Sequence, residues 1–364
     1  MAKEKILLYN FGQEDARMSQ QFPQPENNHR TEIRLALPSK GRMESETLSL
    51  LQECGLAVNK VNPRQYIAHI AEIPNLEVWF QRSADVVRKV RDGDVDLGIV
   101  GYDTVVEYRG PGDEVVVIHD ALGYGHCRLS IAVPEEWRDI NTVQDLAALA
   151  ATRPERRPLR VVSKYERQTA AFFERHNVRP YRLLHADGAL EAAPHMGSAD
   201  FIVDLVSSGV TLRENRLKEL KDGKLLDSQA VFIGNRTALT ERPEVLAIAR
   251  EMLERFEAHL RASDHYAIIA NMRGDSPEEV ARKVFSQPNL GGLQGPTISR
   301  VYLRDESDTG WYAITIVVKK QGLHGVIQQI RAIGGSGVLV MPITYIFEEE
   351  PPRWLKLLET LGLE

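Results

Sequence analysis

Short apolar runs alternate with amphipathic runs from residue 33 to residue 262, and this alternation constrains the fold more than any other feature of the chain. Such alternation is typical of βαβ units, so the body is expected to be α/β. Strands are predicted at Ile33–Leu37, Glu77–Phe80, Val95–Val100, Val115–Ile118, Leu129–Val133, Leu159–Val162, Tyr181–Leu184, Phe201–Val203 and Ala230–Gly234. Helices are predicted at Ser45–Glu53, Ala84–Arg91, Val143–Ala150, Glu166–Arg175, Glu191–His195 and Pro243–Ala262.

From His265 the order changes to strand, helix, strand, strand, helix, strand. The segments are HYAIIANM, PEEVARKVF, TISRVYL, WYAITIVVKK, LHGVIQQIRAI and GVLVMPITYIF. This βαββαβ order is that of a ferredoxin-like domain. Because a chain of 364 residues also exceeds the usual size of one core, we expect two or three domains.

Composition excludes several classes of protein. A net charge of −6 argues against a nucleic-acid partner, whose binding surface would be basic. No apolar run reaches the length of about 18 residues that a membrane span needs, and two cysteines imply neither a disulfide framework nor a zinc site. Residues 1–30 are polar and without a period, and are expected to form an irregular extension. They resemble neither a signal peptide nor a transit peptide, so a cytoplasmic location is expected.

The segment ADFIVDLVSSGVTL has the pattern of a phosphate-binding loop. A buried strand ends at Asp204, and the following turn leads into the polar segment RENRLKEL. Backbone N–H groups that converge at a helix N-terminus attract an anion, and a glycine allows close approach. The alternative is an ordinary turn and helix cap. The turn consists of Ser207, Ser208, Gly209, Val210 and Thr211.

Cationic side chains follow other predicted strands. Lys40 and Arg42 follow the first strand, and Arg82 follows the second. Open α/β sheets bind ligands at the carboxyl ends of their strands. Each cation taken singly is explained as well by a solvated surface charge, but together they suit a pyrophosphate opposite the loop.

These motifs in combination resemble the long form of ATP phosphoribosyltransferase. The resemblance covers nearly all of residues 31–347, and its most specific segments are LALPSKGRM, DLGIVGYD, GALEAAPHMGSADFIVDLVSSGVTL and GLQGPTISRVYL. It implies two lobes like those of type II periplasmic binding proteins, with lobe I at 31–120 and 233–264 and lobe II at 121–232. It also implies an ACT-like regulatory domain at 265–364, a homohexamer, and Mg²⁺ as the cofactor.

The resemblance also implies a reaction and site roles. In this family N1 of the adenine of ATP attacks C1 of phosphoribosyl pyrophosphate, and pyrophosphate leaves. Lys40, Arg42 and Arg82 would neutralise the pyrophosphate, while the loop 207–211 would hold the 5-phosphate. The remaining roles fall on Glu191 at the ribose hydroxyls, Asp204 at the ribose or adenine, Asp103 and Arg128 at the cleft mouth beside the triphosphate, and Lys164 and Tyr165 on the facing lobe.

The C-terminal domain would bind L-histidine as an inhibitor. By resemblance, Asp275 and Thr297 hold the imidazole, Gly337 in the glycine-rich turn meets the carboxylate, and Val317 meets the amine. The tail EEEPPRWLKLLETLGLE is predicted to form an extra amphipathic helix that packs on a neighbouring subunit.

Two other functions fit the same residues. A two-lobed sensor would bind an anionic ligand without catalysis, and another phosphoribosyltransferase would use a different acceptor.

Overall fold

The computed structural model describes residues 30–60, 62, 65–302 and 310–363. The predicted N-terminal extension and the end of the strand predicted over TISRVYL lie outside these residues. The strands are β1 (Ile33–Pro38), β2 (Val58–Asn59), β3 (Ile67–Ile70), β4 (Leu76–Gln81), β5 (Leu97–Gly101), β6 (Val115–His119), β7 (Cys127–Pro134), β8 (Leu159–Ser163), β9 (Tyr181–His185), β10 (Phe201–Val206), β11 (Leu217–Ser228), β12 (Ala230–Asn235), β13 (His265–Arg273), β14 (Thr297–Arg300), β15 (Trp311–Lys319) and β16 (Ser336–Pro342). The helices are α1 (Gly41–Glu53), α2 (Ser83–Arg91), α3 (Tyr102–Tyr108), α4 (Val143–Ala151), α5 (Glu166–Arg175), α6 (Val210–Glu214), α7 (Arg236–Glu241), α8 (Pro243–Ser263), α9 (Pro277–Phe285), α10 (Leu323–Ala332) and α11 (Pro352–Leu361).

The strands form three sheets, two of which make the α/β body. The first has seven strands in the order β2-β3-β4-β1-β5-β12-β6, and the second has five in the order β11-β7-β10-β8-β9. β1 runs parallel to β4 and β5, and β8 runs parallel to β9 and β10. The carboxyl ends of these parallel strands therefore gather at one edge of each sheet, where the candidate site residues lie. The chain passes between the sheets twice, after β6 and after β11.

Several elements differ from the sequence expectation, and β2, β3, α3 and α7 are among those that were not predicted. After the phosphate loop the helix α6 has only five residues, and the chain then forms β11, a strand of twelve residues that was not predicted. β11 lies at the edge of its sheet and pairs with β7 alone. Lys and Glu side chains are tolerated on an edge strand because one side of it faces solvent. These charges hide the apolar period on which strand prediction depends. The predicted helix Glu191–His195 is likewise reduced to a 3₁₀ turn at Leu190–Ala192.

The third sheet confirms the ferredoxin-like arrangement. Its order is β14-β15-β13-β16, and neighbouring strands in it are antiparallel. Alternate residues of β13 and β15 are buried, as expected for strands covered on one face by α9 and α10. The core of this domain includes Ile268, Ile314, Val280 and Ile330.

The extra C-terminal helix packs on the first lobe of its own chain, and its packing on a neighbouring subunit stays a prediction. Trp354, Leu357 and Leu361 are buried in the same core as β1, β4 and α8. The connecting segment directs the helix there, because the Ile346 N–H donates to the Ala258 carbonyl at 3.0 Å and the Tyr345 hydroxyl donates to the Glu53 carbonyl at 2.7 Å. Amphipathicity alone predicted the helix but could not identify the surface that covers it.

Candidate active site

The predicted phosphate loop lies at the carboxyl end of β10, the central strand of the second sheet. Phe201, Ile202 and Val203 are fully buried, whereas Ser207, Ser208 and Thr211 are exposed. Gly209 precedes α6 with φ at 73°, a left-handed conformation that strains any residue with a Cβ. The loop therefore presents hydroxyl groups and a helix start towards solvent from a rigid strand.

Arg128 supports this loop. Its guanidinium donates through Nε to Glu219 at 2.7 Å and through Nη1 to the Ser207 carbonyl at 3.2 Å. The Glu219 carboxylate neutralises the cation, and the hydrogen bond from Arg128 holds the Glu219 pKa below its usual value. Arg128 therefore orients the loop through its pairing with Glu219, and its role beside the triphosphate stays a prediction. Sequence analysis missed Glu219 because the strand that carries it was not predicted.

Two carboxyl groups lie close together beside the loop. Asp204 directly follows Val203, the last residue of β10 that pairs with β8, and Lys164 directly follows Ser163, the last residue of β8. Asp204 and Lys164 therefore lie at the same edge of the sheet. Burial, helped by the charge of Glu191, raises the pKa of the Asp204 carboxyl to about 6, while the hydrogen bond from the Leu205 N–H and the charge of Lys164 act in the opposite direction. The structure thus places Asp204 near both Glu191 and Lys164, although the sequence analysis assigned Lys164 to the facing lobe. At neutral pH this group offers acceptors to the hydroxyls of a sugar.

A cationic cavity of about 610 Å³ opens at the carboxyl ends of β1 and β4. Lys40 and Arg82 line it together because the Ser39 N–H donates to the Gln81 carbonyl at 2.9 Å, which joins the two strand ends. Lys60 is the third cation, with its ammonium 4.0 Å from the centre of the Phe80 ring. Lys60 was missed because nothing in the local sequence distinguishes it from a surface lysine.

Arg42 lies outside this cavity. Its side chain is exposed and its Nε is 3.6 Å from the Glu46 carboxylate. Burial and the charge of Asp103 raise the pKa of the Cys127 thiol to about 11, while Arg42 lowers it. Arg42 therefore faces the boundary between the lobes. Of the three expected cations, Lys40 and Arg82 lie together in the cavity and Arg42 lies apart from them.

Asp103 is buried, not at the mouth of the cleft as expected. Only 4% of it is exposed. Its carboxylate accepts hydrogen bonds from the hydroxyls of Ser228 at 2.6 Å, Tyr165 at 2.8 Å and Thr104 at 3.0 Å. Burial and the Asp103 charge raise the Tyr165 pKa far above its usual value, so the phenol stays a donor. Asp103 and Tyr165 thus join the two lobes instead of facing a ligand.

Glu107, one turn after Asp103, makes a second contact between the lobes. Its carboxylate accepts from the backbone N–H groups of Arg167 at 2.8 Å and Gln168 at 3.1 Å. These N–H groups lie in the first turn of α5, where unpaired donors and the helix dipole favour an anion. Asp103 and Glu107 have helical i,i+4 spacing, so the pair was visible in the sequence, but its target was not.

The four residues predicted to bind histidine do not meet within one chain. Thr297 and Val317 line a common cavity of about 780 Å³. Thr297 pairs with Thr315, which pairs with Ile269. The strand β13 then continues for about 13 Å at the usual rise before it ends, and Asp275 lies beyond that end. Gly337 also lies towards that end, because its neighbour Ser336 pairs with Asn271. Strand register therefore separates Thr297 and Val317 from Asp275 and Gly337.

The described residues contain neither a cluster of metal ligands nor a helix that could span a membrane. Within residues 30–60, 62, 65–302 and 310–363, no group of three or more His, Cys, Asp or Glu side chains is placed to hold a metal ion. No helix in the same part of the chain is long and apolar enough to cross a membrane.

Comparisons with known proteins match both parts of the chain. The family model described as ATP phosphoribosyltransferase matches residues 82–258, and the model described as HisG, C-terminal domain, matches residues 262–345. ATP phosphoribosyltransferase 1, chloroplastic, of Arabidopsis thaliana is 50% identical over 338 residues, which are 92% of this chain and 82% of that relative. The ATP phosphoribosyltransferase of Brucella melitensis is 43% identical over 228 residues, 61% of this chain and 99% of its own. A solved ATP phosphoribosyl transferase (HisG:HisZ) complex from Thermotoga maritima matches at a TM-score of 0.48 and 23% identity, covering 62% of this chain and 98% of that one.

Proposed function

The chain belongs to the ATP phosphoribosyltransferase family, which catalyses the first step of histidine biosynthesis, and we propose how its residues carry out that transfer. The lone pair of N1 of the adenine ring attacks C1 of phosphoribosyl pyrophosphate. The bond from C1 to the pyrophosphate oxygen breaks, and pyrophosphate leaves with the bonding pair. The anomeric centre is inverted. Because pyrophosphate is a good leaving group, the reaction needs charge neutralisation and alignment more than a strong base.

One observation carries this proposal: a loop of neutral hydroxyl groups lies on one lobe, and a cavity lined by positive charges lies on the other. The loop 207–211 offers neutral hydroxyls, which suit the 5-phosphate, and the cavity with Lys40, Lys60 and Arg82 offers fixed positive charge, which suits the leaving pyrophosphate. Asp204 and Glu191 lie beside the loop and would bind the ribose hydroxyls between them. Arg42 would act on the pyrophosphate only after the lobes move.

Magnesium enters the proposal with the substrates. The described residues supply no cluster of three acidic or imidazole ligands, so the fold offers no closed site for a resident ion. Mg²⁺ would instead be bound by the oxygens of the two polyphosphates, as it usually is at such sites. Asp204 and Glu191 are the nearest carboxylates that could complete its coordination.

The direct test is incubation of the purified protein with ATP, phosphoribosyl pyrophosphate and Mg²⁺. We expect the ultraviolet change of an N1-substituted adenine together with release of one pyrophosphate. Replacing ATP with GTP distinguishes the acceptor, and omitting Mg²⁺ tests the metal. Binding of both substrates without product would support the non-catalytic sensor instead, although family membership favours the transferase.

Removing the hydroxyl of Thr211 tests the loop. Thr211→Val keeps the shape of the side chain but deletes a donor to the 5-phosphate, and a hydrogen bond to a charged group contributes about 1.5–3 kcal/mol. We therefore expect the KM for phosphoribosyl pyrophosphate to rise about tenfold, with the KM for ATP little changed. Thr152→Val, on an exposed threonine at the end of α4, is the matched control. An unchanged KM for the donor would place the 5-phosphate elsewhere.

Histidine feedback is the proposed role of the third sheet, in a homohexamer. Since Thr297 is level with Ile269 at the middle of β13 and Asp275 lies beyond the end of that strand, one bound histidine would touch Asp275 of one copy and Thr297 of another. The glycine-rich turn at Gly337 would meet its carboxylate, and Val317 its amine. A cytoplasmic location remains a prediction, beside an Arabidopsis relative that is named chloroplastic.

Asp275→Ala should keep most of the uninhibited activity while raising the histidine concentration for half-inhibition about tenfold, because it removes a charged partner of the imidazole. Asp275 is exposed, so folding should be unaffected. Hexamers reassembled from a mixture of Asp275→Ala and Thr297→Val chains should regain part of the sensitivity to histidine. In such a mixture, some interfaces between subunits carry both native side chains. Undiminished sensitivity in Asp275→Ala alone would refute the proposed effector site.

A further inference from the structure

A third cavity, of about 780 Å³, lies where the two lobes and the C-terminal helix meet. One face of α11 forms a wall of it. The residues of that face are Arg353, Lys356, Leu357 and Thr360. Their spacing is that of adjacent turns on one side of a helix, so a whole helical face borders the cavity.

The same cavity reaches the phosphate loop. Ser207, the first residue of the loop, and Arg128, which holds the Ser207 carbonyl, both line it. The opposite side includes the ring of Tyr102 and the aliphatic side chains of Val117 and Ile118. An apolar wall with a few convergent polar groups is typical of a small-molecule site of this size, and the cavity would hold a nucleotide beside the ribose phosphate.

Most of the charges around this cavity are already paired. Arg353 is 2.7 Å from the Asp120 carboxylate and 3.0 Å from the Glu257 carboxylate. Arg128 is paired with Glu219, and a further lining carboxylate, Asp227, is 2.7 Å from the ammonium of Lys224.

Lys356 differs from these groups. It is exposed and has no ion-pair partner within the described residues. Its helix is fixed, because the Arg236 guanidinium donates to the Thr360 carbonyl at 2.8 Å and Trp354 and Leu361 are buried in the core of the first lobe. The ammonium is therefore an uncompensated positive charge held at the edge of the cavity by a rigid element.

We propose that Lys356 is a specificity-determining residue that binds the polyphosphate of the acceptor nucleotide, and that the C-terminal helix is a wall of the nucleotide site. This inference rests on the proposed function and adds to it the substrate whose phosphates the helix contacts. It predicts a preference for nucleoside triphosphates over monophosphates that depends on one charge.

The test is Lys356→Gln, which removes the charge and keeps the length. We expect the KM for ATP to rise about fivefold to tenfold, as for loss of one partly exposed charged contact, with kcat and the KM for phosphoribosyl pyrophosphate within about twofold. Lys356→Arg should restore most of the affinity. Lys89→Gln, which removes the same charge from α2 outside the cavity, is the matched control. Competition of ATP and of AMP for the acceptor site completes the set. Lys356→Gln should weaken the binding of ATP and leave the binding of AMP unchanged.

The outcomes separate this inference from the proposed function. If the wild-type chain forms no N1-substituted product, the proposed function fails. If it does, and Lys356→Gln keeps the wild-type KM for ATP, the role of Lys356 is refuted alone. A rise in the KM for the donor instead, or an equal effect of Lys89→Gln, would refute it too.

Discussion

Arg82→Ala is expected to lower kcat by about a hundredfold, because a fixed charge aimed at the developing pyrophosphate stabilises the transition state more than the bound substrate. Arg82 lies directly before α2 in the cavity that also contains Lys40 and Lys60. Direct measurement of pyrophosphate release in single-turnover conditions gives the chemical step free of product dissociation. The KM for ATP should change much less than kcat.

The matched control for this prediction is Arg88→Ala. Arg88 lies on the same helix and is exposed, but it pairs with Asp85 at 3.5 Å and does not line the cavity. It should react at the wild-type rate. Wild-type turnover in Arg82→Ala, with pyrophosphate measured directly, would show that the leaving group binds elsewhere.

Asp103→Ala is expected to lower the free energy of unfolding by about 3 kcal/mol, because it leaves three buried hydroxyl groups without their acceptor. Those hydroxyls belong to Ser228, Thr104 and Tyr165. Urea unfolding followed by far-ultraviolet circular dichroism measures the loss. The transition of the α/β body should move to lower urea.

Two variants test whether that loss comes from the buried network. Tyr165→Phe removes one donor, but the Asp103 carboxylate keeps its other two hydroxyl donors. We therefore expect the free energy of unfolding to fall by only about 1 kcal/mol. Asp187→Ala removes an exposed carboxylate whose side chain is 83% accessible and should change stability little. A loss in Asp103→Ala no larger than that in Asp187→Ala would contradict the proposed network.

Local patterns predicted most strands of the body and the turn at 207–211. β10, the turn at Gly209 and the group of Asp204 with Glu191 lie within one short stretch of chain, where strand, turn and helix signals act on neighbouring residues. β11 was missed because an edge strand carries charges on its solvent side, and these remove the apolar alternation that prediction needs.

The rest of the site depends on contacts between distant segments. Asp103 looked like a cleft residue because it ends a strand, yet Ser228, from the second passage between the lobes, buries it. Glu107 caps a helix that begins nearly sixty residues later. Lys60 reaches the cationic cavity from a segment with no motif. No local spacing encodes such pairs, since only the packed sheets bring them together.

Because the C-terminal helix returns to the first lobe, the third sheet is connected to that lobe at both of its ends. α8 leads from the first lobe into β13, and the segment after β16 leads back to the first lobe through Tyr345 and α11. The third sheet and its helices are thus an insertion with both ends anchored on one lobe. A doubly anchored insertion has less freedom of orientation than a domain held by a single tether. The second anchor is α11, whose inner face borders the cavity between the lobes.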